Sequence, residues 1–338
     1  MEELVLQNLV NGGREAKIQA ATELGKLCSR QRRKLAERGV IDPLVSMLET
    51  QDYEAIEAAL FALLSLAFGR ERNKIRIVKA GIMPRLIELL QCENESLIEL
   101  TIAALLILSS CAANKQAIAS SGTIANLVGI LCRGFADGDD GIGISLQGKL
   151  DAIATLHNLS TCHQIIPPIV SAGTVFPLLQ LIHCYEKSSE LVQKATVLLE
   201  HLVCASEDAL LQTVSTGGAI RALVETIEEG SVQCKEHAVG ILLLVCQSCR
   251  EKYRGLILRE GVMPGLLQLS VDGTWRAKGM AQQLLLLLRE NSSYGSTDKQ
   301  SKHEVLAQIM QEIDAAEEIV RGASTLRLVE EMIAKLSA

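Results

Sequence analysis

Residues 39–48 read GVIDPLVSML, and the phrase returns as GIMPRLIELL from Gly81, GTIANLVGIL from Gly122, GTVFPLLQLI from Gly173, GAIRALVETI from Gly218 and GVMPGLLQLS from Gly261. A leucine stands five residues after every glycine, at Leu44, Leu86, Leu127, Leu178, Leu223 and Leu266, and the next position is aliphatic each time. The glycines are 42, 41, 51, 45 and 43 residues apart, a period that belongs to stacked repeats. Apolar residues at offsets 2, 5, 6 and 9 share one helical face at 3.6 residues per turn. The glycine ends the preceding helix in a left-handed conformation, and Pro43, Pro84, Pro177 and Pro264 suit the first turn of the next helix.

A longer apolar stretch follows in each unit, over 55–67, 97–112, 151–160, 191–204, 235–246 and 277–289. Each unit therefore reads as a short, a middle and a long helix. One such unit cannot bury its apolar faces alone, but stacked neighbours share a continuous core. Composition agrees: 48% of the 338 residues are apolar but only 3% aromatic, so the core is aliphatic and suited to close helix packing.

The 33 basic and 40 acidic side chains leave a net charge of −7, which argues against a general nucleic-acid binder. Met1-Glu2-Glu3 opens no basic leader, and the clean apolar runs 239–246 and 284–288 are too short to span a bilayer. The chain reads as soluble. Its ten cysteines are scattered through apolar helical contexts, the pattern of reduced thiols in a cytoplasmic or nuclear protein.

These residues resemble armadillo repeats, and more closely the C-terminal armadillo domain of plant U-box ubiquitin ligases and related armadillo-only proteins. The passages that carry the resemblance are LVNGGREAKIQAATELGKLCSRQRRKLAERGVIDPLVSML at 9–48 and GVMPGLLQLSVDGTWRAKGMAQQLLLLLRE at 261–290. It implies an all-α, right-handed armadillo α-solenoid over residues 1–290, a partial N-terminal repeat followed by about six repeats. No stretch resembles a U-box and no room precedes the first repeat for one, so ligase activity is not expected of this chain by itself.

The 51-residue spacing reflects an insertion at 133–149, RGFADGDDGIGISLQGK, read as a flexible loop. Asp137, Asp139 and Asp140 lack the terminal glutamate of a calcium loop. Residues 291–302 read as a polar linker. Residues 303–338 resume helical periodicity, with Leu306, Ile309, Met310, Ile313 and Val320 on one face, and read as a C-terminal cap or an interaction segment.

No catalytic constellation emerges, and no cofactor or metal is expected. NGGRE at 11–15 lacks the lysine of a phosphate loop, no serine sits in a nucleophile elbow, and Cys246 with Cys249 finds no second ligand pair. The basic run Arg30, Arg32, Arg33, Lys34 and Arg38 is the densest charge feature. It reads either as a solvated helix face or as a surface for an acidic partner or anionic lipid, a peripheral membrane role.

Armadillo proteins that bind extended peptides carry an asparagine near the end of each long helix and a tryptophan one turn earlier. Counted from the glycines, the asparagine slot holds Ser65, Ile107, Asn158, His201, Leu244 and Leu287, and the tryptophan slot Phe61, Ala103, Ala154, Val197, Gly240 and Gln283. One turn further back stand Ala58, Leu100, Asp151, Lys194, His237 and Met280. Only Asn158 keeps the family residue, so the backbone-clamping ladder is nearly gone. This argues against a receptor for extended basic peptides. A one-residue slip in this count would instead place Ile107, Leu244 and Leu287 in the core. The groove candidates are Phe61, Asp151, Asn158, Lys194, His201 and His237, and the expected partner is a helical or folded protein segment. Trp275 becomes an anchor if it is exposed. The leading expectation is a non-enzymatic scaffold linked to ubiquitin-dependent regulation; the second is a membrane-surface or acidic-ligand adaptor working through Arg30 to Arg38.

Overall fold

A computed structural model of the chain describes residues 2–133 and 143–289. Among them there is no strand, and twenty α-helices follow one another. An opening pair, α1 (Glu2–Asn11) and α2 (Arg14–Lys26), precedes six triplets. These are α3 (Ser29–Glu37), α4 (Ile41–Leu48) and α5 (Tyr53–Ala67); α6 (Glu71–Lys79), α7 (Met83–Leu90) and α8 (Glu95–Ser109); and α9 (Lys115–Ser120), α10 (Thr123–Cys132) and α11 (Leu146–Ser160). The last three are α12 (Ile166–Ser171), α13 (Val175–Cys184) and α14 (Glu190–Ala205); α15 (Glu207–Ser215), α16 (Ala219–Glu229) and α17 (Val232–Ser248); and α18 (Arg250–Arg259), α19 (Met263–Asp272) and α20 (Trp275–Leu288). The third and fourth triplets open with a short 3-10 turn, at Ala112–Asn114 and His163–Ile165.

All six repeat glycines turn the chain with positive φ, between 77° and 91°. An L side chain is strained there, which is why the residue recurs at the same place. Each long helix then starts on a polar residue: Asp52, Asn94, Ser145, Ser189, Ser231 and Thr274. In five of them the side chain accepts from the backbone N–H three residues on, at 3.1 to 3.3 Å. The sixth, Asp52, is held by Arg14 Nε at 2.6 Å. These caps set the helix starts ahead of the apolar runs. They also correct the loop assigned to 133–149: Ser145 caps α11, so 146–149 are helical. Residues 134–142 lie outside the described residues, as do the linker at 291–302 and the segment 303–338.

Short helices tie the ends of long ones. Asn73 Nδ2 donates to Leu66 O at 2.7 Å and Asn114 Nδ2 to Leu108 O at 3.2 Å, satisfying terminal carbonyls of α5 and α8. Arg254 Nε does the same for Leu288 O of α20 at 2.7 Å.

The helices sort into two compact units, Met1–Leu181 with Ala205–Ala209, and Ile182–Cys204 with the chain from Leu210 on. In the first, α5 packs on α2 and α8, and α8 on α11; in the second, α17 packs on α16 and α20. Leu44, Leu86, Leu127 and Leu178 are fully buried in the first unit and Leu223 and Leu266 in the second. Among the described residues no single helix is long and apolar enough to cross a membrane.

Candidate functional site

The long helices carry the candidate residues, and their exposure tests the register counted from the glycines. Ile107, Leu244 and Leu287 are half-buried, neither fully exposed nor in the core. In the tryptophan column only Gly240 is buried. Phe61 is 53% exposed on α5, with Tyr53 two turns earlier also exposed.

In the first unit Asn158 bridges α11 to α8. Its Nδ2 lies 3.1 Å from Ser109 Oγ and 3.5 Å from Leu106 O, so the amide donor is engaged inside the fold. Asp151 is half-buried on the same helix and accepts from Gln147 Nε2 at 2.7 Å. Burial pushes its carboxyl above the usual range, and the charge of Glu99 adds to the rise. Glu99 in turn accepts from Ser145 N at 2.8 Å and Glu95 from Gly143 N at 3.1 Å, holding the chain that leads into α11.

The second unit has a charged lattice across α14, α17 and α20. Arg276 places Nη2 2.8 Å from Glu200 Oε1 and Nη1 2.9 Å from Glu236 Oε1. His237 Nδ1 lies 2.6 Å from Glu200 Oε2, and the Thr274 hydroxyl donates to Glu236 Oε2. Burial raises the Glu236 carboxyl, but the bonds from Thr274 and Arg276 outweigh it and hold the group below its ordinary value. On the same three helices stand exposed Lys194 and half-buried Val197, His201, Leu244 and Met280. Phe61, Asp151 and Asn158 thus belong to the first unit, and Lys194, His201 and His237 to the second.

Three members of the basic run face carboxylates. Arg38 Nη2 is 2.6 Å from Glu3, Arg33 is 3.7 Å from Glu37 and Lys34 is 3.9 Å from Glu2. Arg30 is exposed and Arg32 half-buried. These pairs dilute the positive field that a lipid surface would read. None of the ten cysteines is in a disulfide, and burial raises the thiols of Cys132 and Cys246. Among the described residues no three His, Cys, Asp or Glu side chains gather where they could hold a metal ion.

The model of the plant U-box protein ARM repeat region matches residues 145–333, and an armadillo/β-catenin-like repeat model matches 70–110. This chain belongs to the plant U-box ARM repeat family. The family chain is 34% identical to U-box domain-containing protein 45 of Arabidopsis thaliana over 148 residues, 43% of its own length, and 30% identical to U-box domain-containing protein 17 over 154 residues. Those matches span only 18% and 20% of the two relatives. Among solved structures, an engineered protein superposes with TM-score 0.69 at 23% identity over 85% of this chain and 67% of its own. A designed armadillo repeat protein gives 0.55 at 19% identity over 85% and 99%. Such likeness establishes an all-α armadillo fold.

Sequence reasoning missed Glu200, Glu236 and Arg276. They stand 27, 18 and 15 residues after their repeat glycines, so no column of the count brings them together. It also missed Lys187, which is buried and donates from Nζ to Ile182 O at 2.7 Å while lying 3.3 Å from Glu225, closing the end of α13.

Proposed function

We propose that this chain is a non-enzymatic scaffold that holds a protein partner on the outward faces of its long helices, within ubiquitin-dependent regulation. The observation that carries the reading is the composition of those faces: mixed charges already paired among themselves, set beside exposed or half-buried apolar residues such as Phe61, Val197 and Met280. A paired lattice offers little to the free backbone of an extended peptide and more to a folded or helical segment that brings its own apolar stripe. A designed armadillo repeat protein with TM-score 0.50 to this chain is in complex with a (KR)4 peptide, which supports binding on this kind of fold. The ubiquitin link rests on the U-box relatives.

Phe61→Asp with Lys194→Glu tests the placement, because both side chains are exposed and their loss leaves the core untouched. Affinity capture from native extract, with helical content and melting checked in parallel, should lose its specific partners in the double variant. Partners retained by a folded double variant would move binding off these faces.

A further inference from the structure

α5, α8 and α11 belong to the first unit, with α8 packed on both of the others. Each leaves one stripe of side chains out of the core. Phe61 is exposed in the middle of α5, and half-buried apolar residues continue the surface through Leu100, Ala103 and Ile107 on α8 to Leu150 and Ala154 on α11. A large hydrophobic residue at the head of a long helix marks no site, because Tyr53, Leu146, Val232 and Trp275 are all exposed there. Phe61 is different. It stands two turns inside a helix already packed on α2 and α8, where a ring left half in water gives up burial that the core does not recover.

The charge along these stripes has one sign. α5 and α8 carry Glu54, Glu57, Glu95 and Glu99 and no lysine or arginine. The one lysine of α11, Lys149, is buried. Arg14 of α2 pairs with Glu54 at 2.9 Å. Glu57, Glu99 and Asp151 each stand one turn before an apolar member of the surface, Phe61, Ala103 and Ala154. The Asp151 carboxyl is raised first by burial and then by the charge of Glu99, as happens when like charges are set close together. By contrast α14, α17 and α20 of the second unit each carry a lysine or arginine. The stretch at 304–320 supplies no counter-charge, with five carboxylates and no lysine or arginine.

We infer, on the reading that partners sit on the long-helix faces, that α5, α8 and α11 take a basic amphipathic helix of a partner protein, its apolar stripe on Phe61, Leu100 and Ile107 and its cations over Glu57, Glu99 and Asp151. Axes of packed helices stand about 8–10 Å apart, so three of them present about 20 Å, the length of roughly four helical turns. Apolar contact supplies affinity, and the carboxylates select the charge and set the direction of the bound helix.

Model peptides, labelled and followed by fluorescence anisotropy on the full chain, test this. They are a leucine-striped helix with flanking lysines, the same helix with glutamates in place of lysines, the lysine peptide scrambled to lose its stripe, and a (KR)4 peptide. The first should bind more tightly than each of the others by about tenfold. Its affinity should fall severalfold in Phe61→Ala, which leaves the charge unchanged. It should fall likewise in Glu57→Gln with Glu99→Gln, where an amide oxygen at position 99 can still accept from Ser145 N. Equal binding of the glutamate helix would overturn the inference, and so would affinity indifferent to Phe61→Ala. Equal binding of the scrambled or (KR)4 peptide would reduce the face to charge attraction and overturn it too. Native partners lost in Phe61→Asp with Lys194→Glu but indifferent to Glu57→Gln with Glu99→Gln would leave binding on these faces and overturn the basic helix alone. Partners kept in both variants would overturn both.

Discussion

Arg276 reaches back across a whole repeat to Glu200, with Nη2 2.8 Å from Oε1, and the path lies over Gly240. A Cβ built at Gly240 would collide with that same carboxylate oxygen, and Met280 Sδ stands 3.5 Å from it. The missing side chain in the tryptophan slot is what lets a carboxylate from α14 meet a guanidinium from α20.

That dependence predicts coupling. In Gly240→Ala the Glu200 carboxylate must move, which loosens its bond to Arg276, while alanine itself favours the helix by about 0.5–1 kcal/mol. Arg276 is 42% exposed, so solvent screening limits its pair to about 1 kcal/mol or less. Arg276→Ala should therefore cost measurably less in the Gly240→Ala background than in the unaltered chain. A double-mutant cycle by chemical denaturation measures this, and additive effects would contradict the geometry.

The repeat glycines predict a contrast between two neighbours. Gly122 has φ 91° with open space around its missing Cβ, and Gly129 lies in the body of α10, also with open space. Gly122→Ala should destabilise by about 1–2 kcal/mol from backbone strain alone. Gly129→Ala should stabilise by about 0.5–1 kcal/mol. Thermal melts of the two variants should move in opposite directions.

The polar helix starts carry their own cost. Asn94 Oδ1 accepts from Leu97 N at 3.1 Å at the head of α8. Asn94→Ala should cost about 1 kcal/mol and Asn94→Gly only a few tenths. Equal losses in denaturation would mean that the cap bond contributes nothing.

Asp151 gives a pH signature. Its folded carboxyl is raised, first by burial and then by Glu99, so the native state holds the proton more tightly than the unfolded chain does. The contribution to stability is present below the unfolded carboxylate range and is lost as pH rises through the folded value. Asp151→Asn should melt higher than the unaltered chain at neutral pH, with the two curves converging toward about pH 4. A constant offset between them at all pH values would remove burial of the charge as the cause.

Much of the architecture was legible because it is periodic. The phrase at Gly39 repeats in register with backbone requirements, so positive φ and the buried leucines follow from local sterics and helical phase. The placement of Asn158, His201 and His237 on the long helices was readable for the same reason. What those side chains do there was not. Asn158 spends its donor on Leu106 and Ser109, some fifty residues earlier, and His237 meets a glutamate on the preceding long helix. No spacing within one repeat encodes such bonds, because they depend on how far one helix stands from the next.

The sequence alone determined the repeat, the helix order and the apolar faces, since each is set by interactions within a few turns of chain. Tertiary structure decided the chemistry of the outward faces. Whether Arg276 is a free cation or a strut between Glu200 and Glu236, and whether Trp275 is covered, depends on packing distances between helices, to which a helical period carries no information.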